Sequence, residues 1–166
     1  MNTYREGTID DLPSILSIEN QEILNGVALF DVEPKTIEEK VIWFEQFKDC
    51  NTLIVVDVDG KMAGYAYVLP YHQKLAYQYT AQLSIYIDPT YQGKGIGKEL
   101  LKQCLQKSEE VGYNTVLSLI TSENEKSIKL HEKFGFKLVG TMKKVGFKFD
   151  RWLDVSIYQW FSSANF

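Results

Sequence analysis

The chain of 166 residues is poor in cysteine, proline and histidine, with two, four and two of each. Cys50 and Cys104 stand far apart, without the spacing of a metal site, and Cys104 falls on the apolar side of a predicted helix. We therefore expect Cys104 to be a small core residue. So few cysteines argue against a disulfide-stapled secreted scaffold, and the sequence predicts a reduced, cytoplasmic protein that binds no metal.

Long apolar runs and an excess of basic residues are missing as well. No stretch of 18 apolar residues occurs, and Met1 to Glu6 lack the apolar core of a signal peptide. The net charge of −4 argues against a general nucleic-acid binder, which would carry a basic face. With 45% hydrophobic and 24% charged residues, the sequence predicts one ordinary domain spanning residues 1–166, with no membrane and no nucleic-acid partner.

The most informative stretch is a strand, a glycine-rich loop and a helix between residues 83 and 101. Leu83, Ile85 and Ile87 alternate with polar or mixed positions, which is typical of a half-buried strand, and Pro89 ends it. The helix after the loop has apolar residues at helical spacing. These residues are Ile96, Leu100, Leu101, Cys104, Leu105 and Val111.

The loop has glycine at positions 93, 95 and 97, flanked by Lys94 and Lys98. Bare backbone amides at the start of a helix favour an anion, so the pattern predicts a phosphate cradle. It is not a P-loop, because Gln92 replaces the first glycine and Glu99 replaces the magnesium-binding hydroxyl. It is not a dinucleotide fingerprint either, because residue 100 is leucine. A tight turn with no ligand is the remaining structural alternative.

The other elements can be placed by the same signals. We expect strands at 2–7, 53–58, 62–69, 116–120, 136–144 and 152–161, with the strand at 116–120 buried on both faces. Helices should begin after Asp10, after Thr36 with Glu39 in a capping box, and at Asn124. Asp59-Gly60 predicts a hairpin turn, and residues 146–151 a longer connection. The element order is β-α-α-β-β-β-α-β-α-β-β.

The Gln-x-x-Gly-x-Gly loop after a strand that ends in Asp-Pro resembles the acetyl-CoA pyrophosphate loop of the GNAT N-acetyltransferase superfamily. Within it, the chain is most similar to the phosphinothricin and methionine sulfoximine acetyltransferase branch. The branch motifs are the strand at 84–87, the helix from Asn124 through His131 to Phe136, and Gly146-Phe147-Lys148 with Arg151, Trp152 and Asp154. The resemblance implies an α/β (α+β) fold, a mixed and mostly antiparallel sheet of six to seven strands with helices on both faces.

The resemblance also implies a binding site for acetyl-CoA and for a small amine substrate. Backbone groups of Ile85, Tyr86 and Ile87 would hold the pantetheine arm as an added strand, and Asn124 would bond it from the other side. The pyrophosphate would bind Gln92, Gly93, Lys94, Gly95, Ile96, Gly97 and Lys98. The acceptor cleft would be built from His72, Gln73, Lys74, Gln82, Leu83 and Ser84, with Lys74 for an acceptor carboxylate. Tyr77 is a further candidate for the wall of this pocket, or an aromatic residue that only packs.

Gln82 departs from the branch, which usually has a glutamate there as the general base. An amide cannot take up a proton at neutral pH, so Gln82 is limited to orienting a water or the amine. Three explanations stay open: a water-mediated route to another group, an acceptor with a lower amine pKa, or an enzyme that is slow on the usual substrates. His131 is a candidate proton relay, or equally a structural histidine beside the cofactor. Glu19 and Asp31 are candidate acidic residues of the cleft, although each is more simply a solvated carboxylate.

The sequence therefore predicts an acetyl-CoA-dependent N-acetyltransferase of a small amino acid-like acceptor. Two alternatives remain: a catalytically weak acyl-CoA-binding protein, and an acetyltransferase of a protein N-terminus or lysine. Relatives in the branch are often homodimers, and the aromatic residues Trp152, Tyr158, Trp160 and Phe161 of the last strand are candidates for such an interface or for the core.

Overall fold

The computed structural model describes residues 1–50 and 52–164, and within them seven strands and four α-helices follow the predicted order. No helix in this part of the chain is long and apolar enough to cross a membrane. The strands are β1 (Asn2–Glu6), β2 (Leu53–Val58), β3 (Lys61–Pro70), β4 (Thr80–Ile87), β5 (Thr115–Thr121), β6 (Lys137–Lys148) and β7 (Arg151–Phe161). The helices are α1 (Leu12–Asn25), α2 (Ile37–Phe44), α3 (Ile96–Val111) and α4 (Glu125–Lys133).

The strands form one mixed sheet in the order β1-β2-β3-β4-β5-β7-β6. Every neighbouring pair is antiparallel except β4 and β5, which run parallel. One apolar cluster joins the sheet to α3, and a second joins the other face to α1 and α2. The predicted fold class, a mostly antiparallel sheet with helices on both faces, is confirmed.

Local sequence signals explain several boundaries. The Thr36 hydroxyl accepts the Glu39 N–H and the Glu39 carboxylate accepts the Thr36 N–H, so the predicted capping box of α2 is present. At the start of α1 the prediction of Asp10 as the N-cap is wrong. Asp11 accepts the Thr8 N–H and pairs with Arg5, which produces a short 3₁₀ turn ahead of α1.

The second half of the sheet differs from the prediction in two places. The strand β5 is not buried on both faces, because Leu119 is 41% exposed. The connection at 146–151 is shorter than expected: β6 continues to Lys148, and Phe149 and Asp150 form the turn with φ of 53° and 56°. Both lie in the left-handed region that two-residue hairpin turns require, but neither is a glycine that would reveal the turn in the sequence.

The aromatic residues of the last hairpin divide between core and surface. Tyr158 is buried in the cluster under α3 and α4, whereas Trp152 and Phe161 are 58% and 63% exposed. Cys104 is fully buried, as predicted.

Glu19 is not a solvated carboxylate, contrary to the prediction. Its Oε2 lies 2.6 Å from Nζ of Lys40, and this ion pair joins α1 to α2. Lys40 is only 4% exposed. The Lys40 ammonium also lies 3.5 Å from the centre of the Trp43 ring, a favourable cation–π contact. Burial lowers the pKa of Lys40, and the carboxylate of Glu19 opposes that change. The other acidic candidate, Asp31, is half-buried and pairs with Lys35.

We expect Lys40→Met to lower the free energy of unfolding by about 3–5 kcal/mol, because it leaves the Glu19 carboxylate buried without its partner. Urea denaturation measures the loss. Lys35→Met is the matched control: the Lys35–Asp31 pair is more exposed, so its loss should cost no more than about 1 kcal/mol. Equal costs for the two changes would contradict this account.

Candidate active site

The site is organised by a fork between the two parallel strands of the sheet. β4 and β5 are paired only through Thr80–Gln82 and Thr115–Leu117. Beyond these residues β4 remains paired with β3 on its other edge, up to Ile87. Within the described residues, the edge of β4 that faces β5 therefore lacks a strand partner after Gln82. Such an edge can bind an extended ligand through its backbone, as an added strand would bind.

A cavity of about 40 Å³ lies where the strands separate. Its walls come from four elements: β4, β5, α4 from its N-cap to its last turn, and the loop after α1. Of the residues predicted for cofactor or substrate binding, or for catalysis, six line it: Leu83, Ser84, Ile85, Tyr86, Asn124 and His131. The structure brings these residues together although 48 positions separate Leu83 from His131 in the chain.

The glycine loop follows β4 directly and leads into α3. Gly93 and Gly95 have φ of 75° and 79°, and a Cβ added at either position would meet no atom within 4 Å. Gly95 is the N-cap of α3, so an exposed loop of left-handed residues adjoins the positive end of a helix of 16 residues. The arrangement fits a pyrophosphate. Gly97 has another reason to be glycine, because a Cβ there would lie 3.3 Å from the Leu130 side chain.

The side chains of the loop differ in their contacts. Gln92 Nε2 donates to the Ile87 carbonyl, which ties the loop to the end of β4. The Lys94 ammonium lies 5.3 Å from the centre of the Tyr91 ring. Lys98 is exposed in the first turn of α3. The loop thus keeps positive charge at its surface while its backbone is held in place.

His131 lies on α4 and is only 1% exposed. Its Nδ1 is 2.7 Å from the Ser127 carbonyl oxygen, and because a carbonyl can only accept, Nδ1 carries the proton. The Phe136 ring contacts the imidazole edge-on, with centroids 4.9 Å apart. Burial lowers the pKa of His131 below its usual 6.5, so the ring is neutral at pH 7 and Nε2 has a free lone pair.

Asn124 caps α4 through its side chain, whose Oδ1 accepts the Ser127 N–H at 3.3 Å. It lies in the wall of the cavity beside β5. One residue thus starts the helix that carries His131 and faces the place where the predicted pantetheine arm would run.

The predicted acceptor residues fall into two groups. Gln82 and Ser84 lie on the face of β4 opposite Leu83, the face on which α1 and α2 pack, and Gln82 is the last residue paired with β5. The second group, His72, Gln73, Lys74 and Tyr77, lies on an exposed segment before β4. Leu83 and Ser84 line the cavity, whereas Gln82 and the second group do not. Within the second group, His72 Nδ1 accepts the Lys74 N–H, and the ring of Tyr77 contacts that of His72 at 5.1 Å.

The cover of the cavity is a feature that the sequence did not reveal. Residues 27–30 follow α1, and their carbonyl groups are held by side chains from two strands. Thr121 donates to the Val27 carbonyl at 2.6 Å, and Lys148 donates to the Leu29 carbonyl at 2.7 Å. A Cβ at Gly146 would lie 2.3 Å from the Phe30 ring, so glycine allows that ring to pack on β6.

These contacts explain much of the closing motif at 146–154. Gly146 and Lys148 hold the cover. Asp154 accepts the Lys144 N–H and so joins the two strands of the hairpin. Arg151 instead makes a bidentate pair with Glu123, which lies just ahead of α4, so it braces the helix of His131 rather than the hairpin.

Comparison with known proteins agrees with this geometry. Residues 17–136 match the model of the Acetyltransferase (GNAT) family. A phosphinothricin N-acetyltransferase from Streptomyces viridochromogenes is 31% identical over 93% of this chain and 85% of its own. An L-methionine sulfoximine/L-methionine sulfone acetyltransferase from Pseudomonas aeruginosa is also 31% identical, over 95% of this chain and 92% of its own.

Solved structures give the same result. An N-acetyltransferase from Staphylococcus aureus superimposes with a TM-score of 0.92 at 39% identity, covering 97% of this chain and 98% of that one. A phosphinothricin acetyltransferase from Sinorhizobium meliloti, solved in complex with acetyl-CoA, gives 0.90 at 34% identity, covering 95% and 86%. A ribosomal-protein-alanine N-acetyltransferase from Brucella melitensis gives 0.90 at 30% identity, covering 96% and 99%.

The forked strands, the glycine loop and relatives that extend over most of the chain agree: this protein belongs to the GNAT family of N-acetyltransferases and resembles its phosphinothricin and methionine sulfoximine acetyltransferases.

Proposed function

We propose that this protein transfers an acetyl group from acetyl-CoA to the amine of a small amino acid-like acceptor. The observation that carries the proposal is the fork between β4 and β5, which leads from the glycine loop to a cavity lined by a neutral histidine. The donor would bind along the free edge of β4, with its pyrophosphate on residues 92–98 and Asn124 opposite. When bound, it supplies the acetyl group as a thioester, an activated acyl donor.

His131 is the group that we assign to proton transfer. Gln82 stands at the fork but cannot titrate, so it orients the acceptor amine or a water. The neutral Nε2 of His131 can accept a proton at pH 7. The neutral amine nitrogen forms its bond to the acetyl carbon and the carbon–sulfur bond breaks. The proton lost by nitrogen passes to Nε2 and then to the departing thiolate, so no proton is gained or lost overall.

The acceptor class rests on the relatives and on the residues that precede β4. The similar proteins named above act on phosphinothricin and on methionine sulfoximine or sulfone, all amino acid-like compounds. In this chain Lys74 is the cation that we assign to an acceptor carboxylate, with His72, Gln73 and Tyr77 beside it. Gln82, Leu83 and Ser84 would form the inner wall.

A second candidate is acetylation of a protein N-terminus, because a ribosomal-protein-alanine N-acetyltransferase is among the similar structures. The cover over the cavity favours the small acceptor. Val27 and Leu29 are held to β5 and β6, which restricts the room for a long peptide.

The glycine loop provides a test of donor binding. Gly95→Ala places a Cβ at φ 79°, a conformation that costs about 1–2 kcal/mol for an L-residue, and the loop should leave its binding geometry. We expect roughly tenfold weaker acetyl-CoA binding by titration calorimetry, equivalent to about 1.4 kcal/mol. Gly60→Ala is the matched control, since Gly60 has φ 81° and open space but lies in the β2–β3 turn. Equal affinities of the two variants would contradict the assignment.

The acceptor is tested by thiol release with phosphinothricin, methionine sulfoximine, free amino acids and peptides with an N-terminal alanine. We expect turnover of the amino acid-like compounds in preference to the peptides. Turnover of the peptides alone would favour the second candidate.

Gln82→Glu distinguishes a weak acyl-CoA binder from an enzyme: a rate gain of ~10²-fold or more would show that a general base is missing from the natural site.

His131→Gln should lower kcat by ~10²-fold or more, because the amide that replaces the imidazole cannot take up a proton. In the natural enzyme only the neutral ring accepts the proton, so the rate should rise with pH through the lowered pKa of His131. This rise is the acidic limb of the pH–rate profile, and the variant should lose it. The control is His72→Gln, which changes the other histidine of the chain and should keep the limb. An unchanged profile in His131→Gln would refute the assignment.

A further inference from the structure

Two polar atoms in the wall of the cavity are buried without a hydrogen-bond partner among the described residues. They are Oγ of Ser118, on β5, and Nε2 of His131, on α4, and each residue is 1% exposed. The two atoms do not bond to each other, yet both residues line the same space. The fold thus presents a donor and an acceptor to one small cavity.

Ser118 is an unexpected residue at its position. Its neighbours on the same face of β5, Val116 and Ile120, belong to the apolar cluster beneath α3 and α4. An apolar side chain would suit this place, since a hydroxyl buried without a partner destabilises the folded chain. Two other buried serines are bonded: Ser108 donates to the Cys104 carbonyl at 2.8 Å, and Ser156 shares bonds with Ser122 and Thr141. The hydroxyl at 118 therefore calls for a partner outside the chain.

The cavity suits a water molecule as that partner. Its volume of about 40 Å³ exceeds the roughly 10–15 Å³ that one buried water requires. A water in this space can donate to the bare Nε2 of His131. Ser118 can both donate to such a water and accept from it.

We propose that Ser118 and His131 together bind one water molecule, and that Ser118 is a positioning residue for proton transfer. The inference rests on the proposed function and extends it. The water accepts the proton that the attacking amine loses and gives one of its own protons to Nε2 of His131. The same atoms carry the proton back to the departing thiolate, so the water is regenerated and the protons balance.

The electrostatic surroundings leave His131 as the group that titrates. The cavity wall holds one other titratable residue, Tyr86, and burial raises its pKa far above neutral pH. The strand β5 carries no charged residue, and the charged residues of α4 are exposed. Tyr158 of β7 lies close to Glu132, and burial raises the pKa of Tyr158 as well. A bound water would stabilise the protonated imidazole by accepting from Nε2, so its loss should lower the pKa of His131 further.

Ser118→Ala tests the proposal in the full chain. We expect kcat to fall roughly tenfold, a part of the effect of a general base, with the KM for acetyl-CoA unchanged. The acidic limb of the pH–rate profile should move to lower pH. The melting temperature should change little, because the hydroxyl of Ser118 bonds no group within the described part of the chain. Ser118→Thr keeps the hydroxyl and should restore both the rate and the limb.

Ser108→Ala is the matched control, a buried serine whose hydroxyl is bonded within α3. It should lower the melting temperature and leave the pH–rate profile unchanged. A raised KM for acetyl-CoA with an unchanged kcat in Ser118→Ala would show that the hydroxyl contacts the donor instead, and would overturn the proposal.

A second readout does not depend on turnover. Titration of the His131 ring by NMR in the free protein should show a lower pKa in Ser118→Ala than in the natural chain, with recovery in Ser118→Thr. If no amine is acetylated but the NMR shift is found, the proposed function fails and the Ser118–His131 link stands. An identical His131 titration in the natural chain and in Ser118→Ala refutes the link.

Discussion

The site depends on one constraint in the sheet: the parallel pairing of β4 and β5 ends after three residue pairs. Backbone groups are normally satisfied by neighbouring strands, so an unpaired edge inside a sheet is a costly feature unless something else binds it. Here β3 and β7 hold the outer edges of the two strands, so the fork keeps its shape without a ligand. The fork is thus a place where an extended molecule can bind rather than a weakness of the fold.

The remaining elements act on this fork from different sides. The glycine loop continues β4, so a ligand along the strand arrives at the start of α3. The helix α4 begins beside β5 and turns His131 into the gap, and the Arg151–Glu123 pair braces the beginning of that helix. Gln82 lies at the base of the fork. Because its amide cannot take up a proton, our proposal gives proton transfer to His131.

Sequence patterns predicted the parts of this arrangement that depend on neighbouring residues. The alternation at 83–87, the glycines at 93–97 and the Thr36–Glu39 box are local signals, and the structure has the corresponding elements. No local pattern reveals the Glu19–Lys40 ion pair or the hydrogen bond from Thr121 to the Val27 carbonyl, because each joins distant segments of the chain. The turn at Phe149-Asp150 has no local signal, because both residues have a left-handed backbone and neither is a glycine. The tautomer of His131 follows from its contact with the Ser127 carbonyl and its lowered pKa from burial, and residue spacing alone reveals neither.

The bond from Lys148 to the Leu29 carbonyl has a consequence for how the protein is made. The two residues are 119 positions apart. During synthesis the loop that contains Leu29 is therefore made long before β6, which carries Lys148. Contacts of such long range form late, because closing a long loop costs entropy before the contact repays it. We therefore expect the nascent chain to form β1–β4 and α3 first, and to hold residues 27–30 against the cavity only when β6 and β7 have joined the sheet.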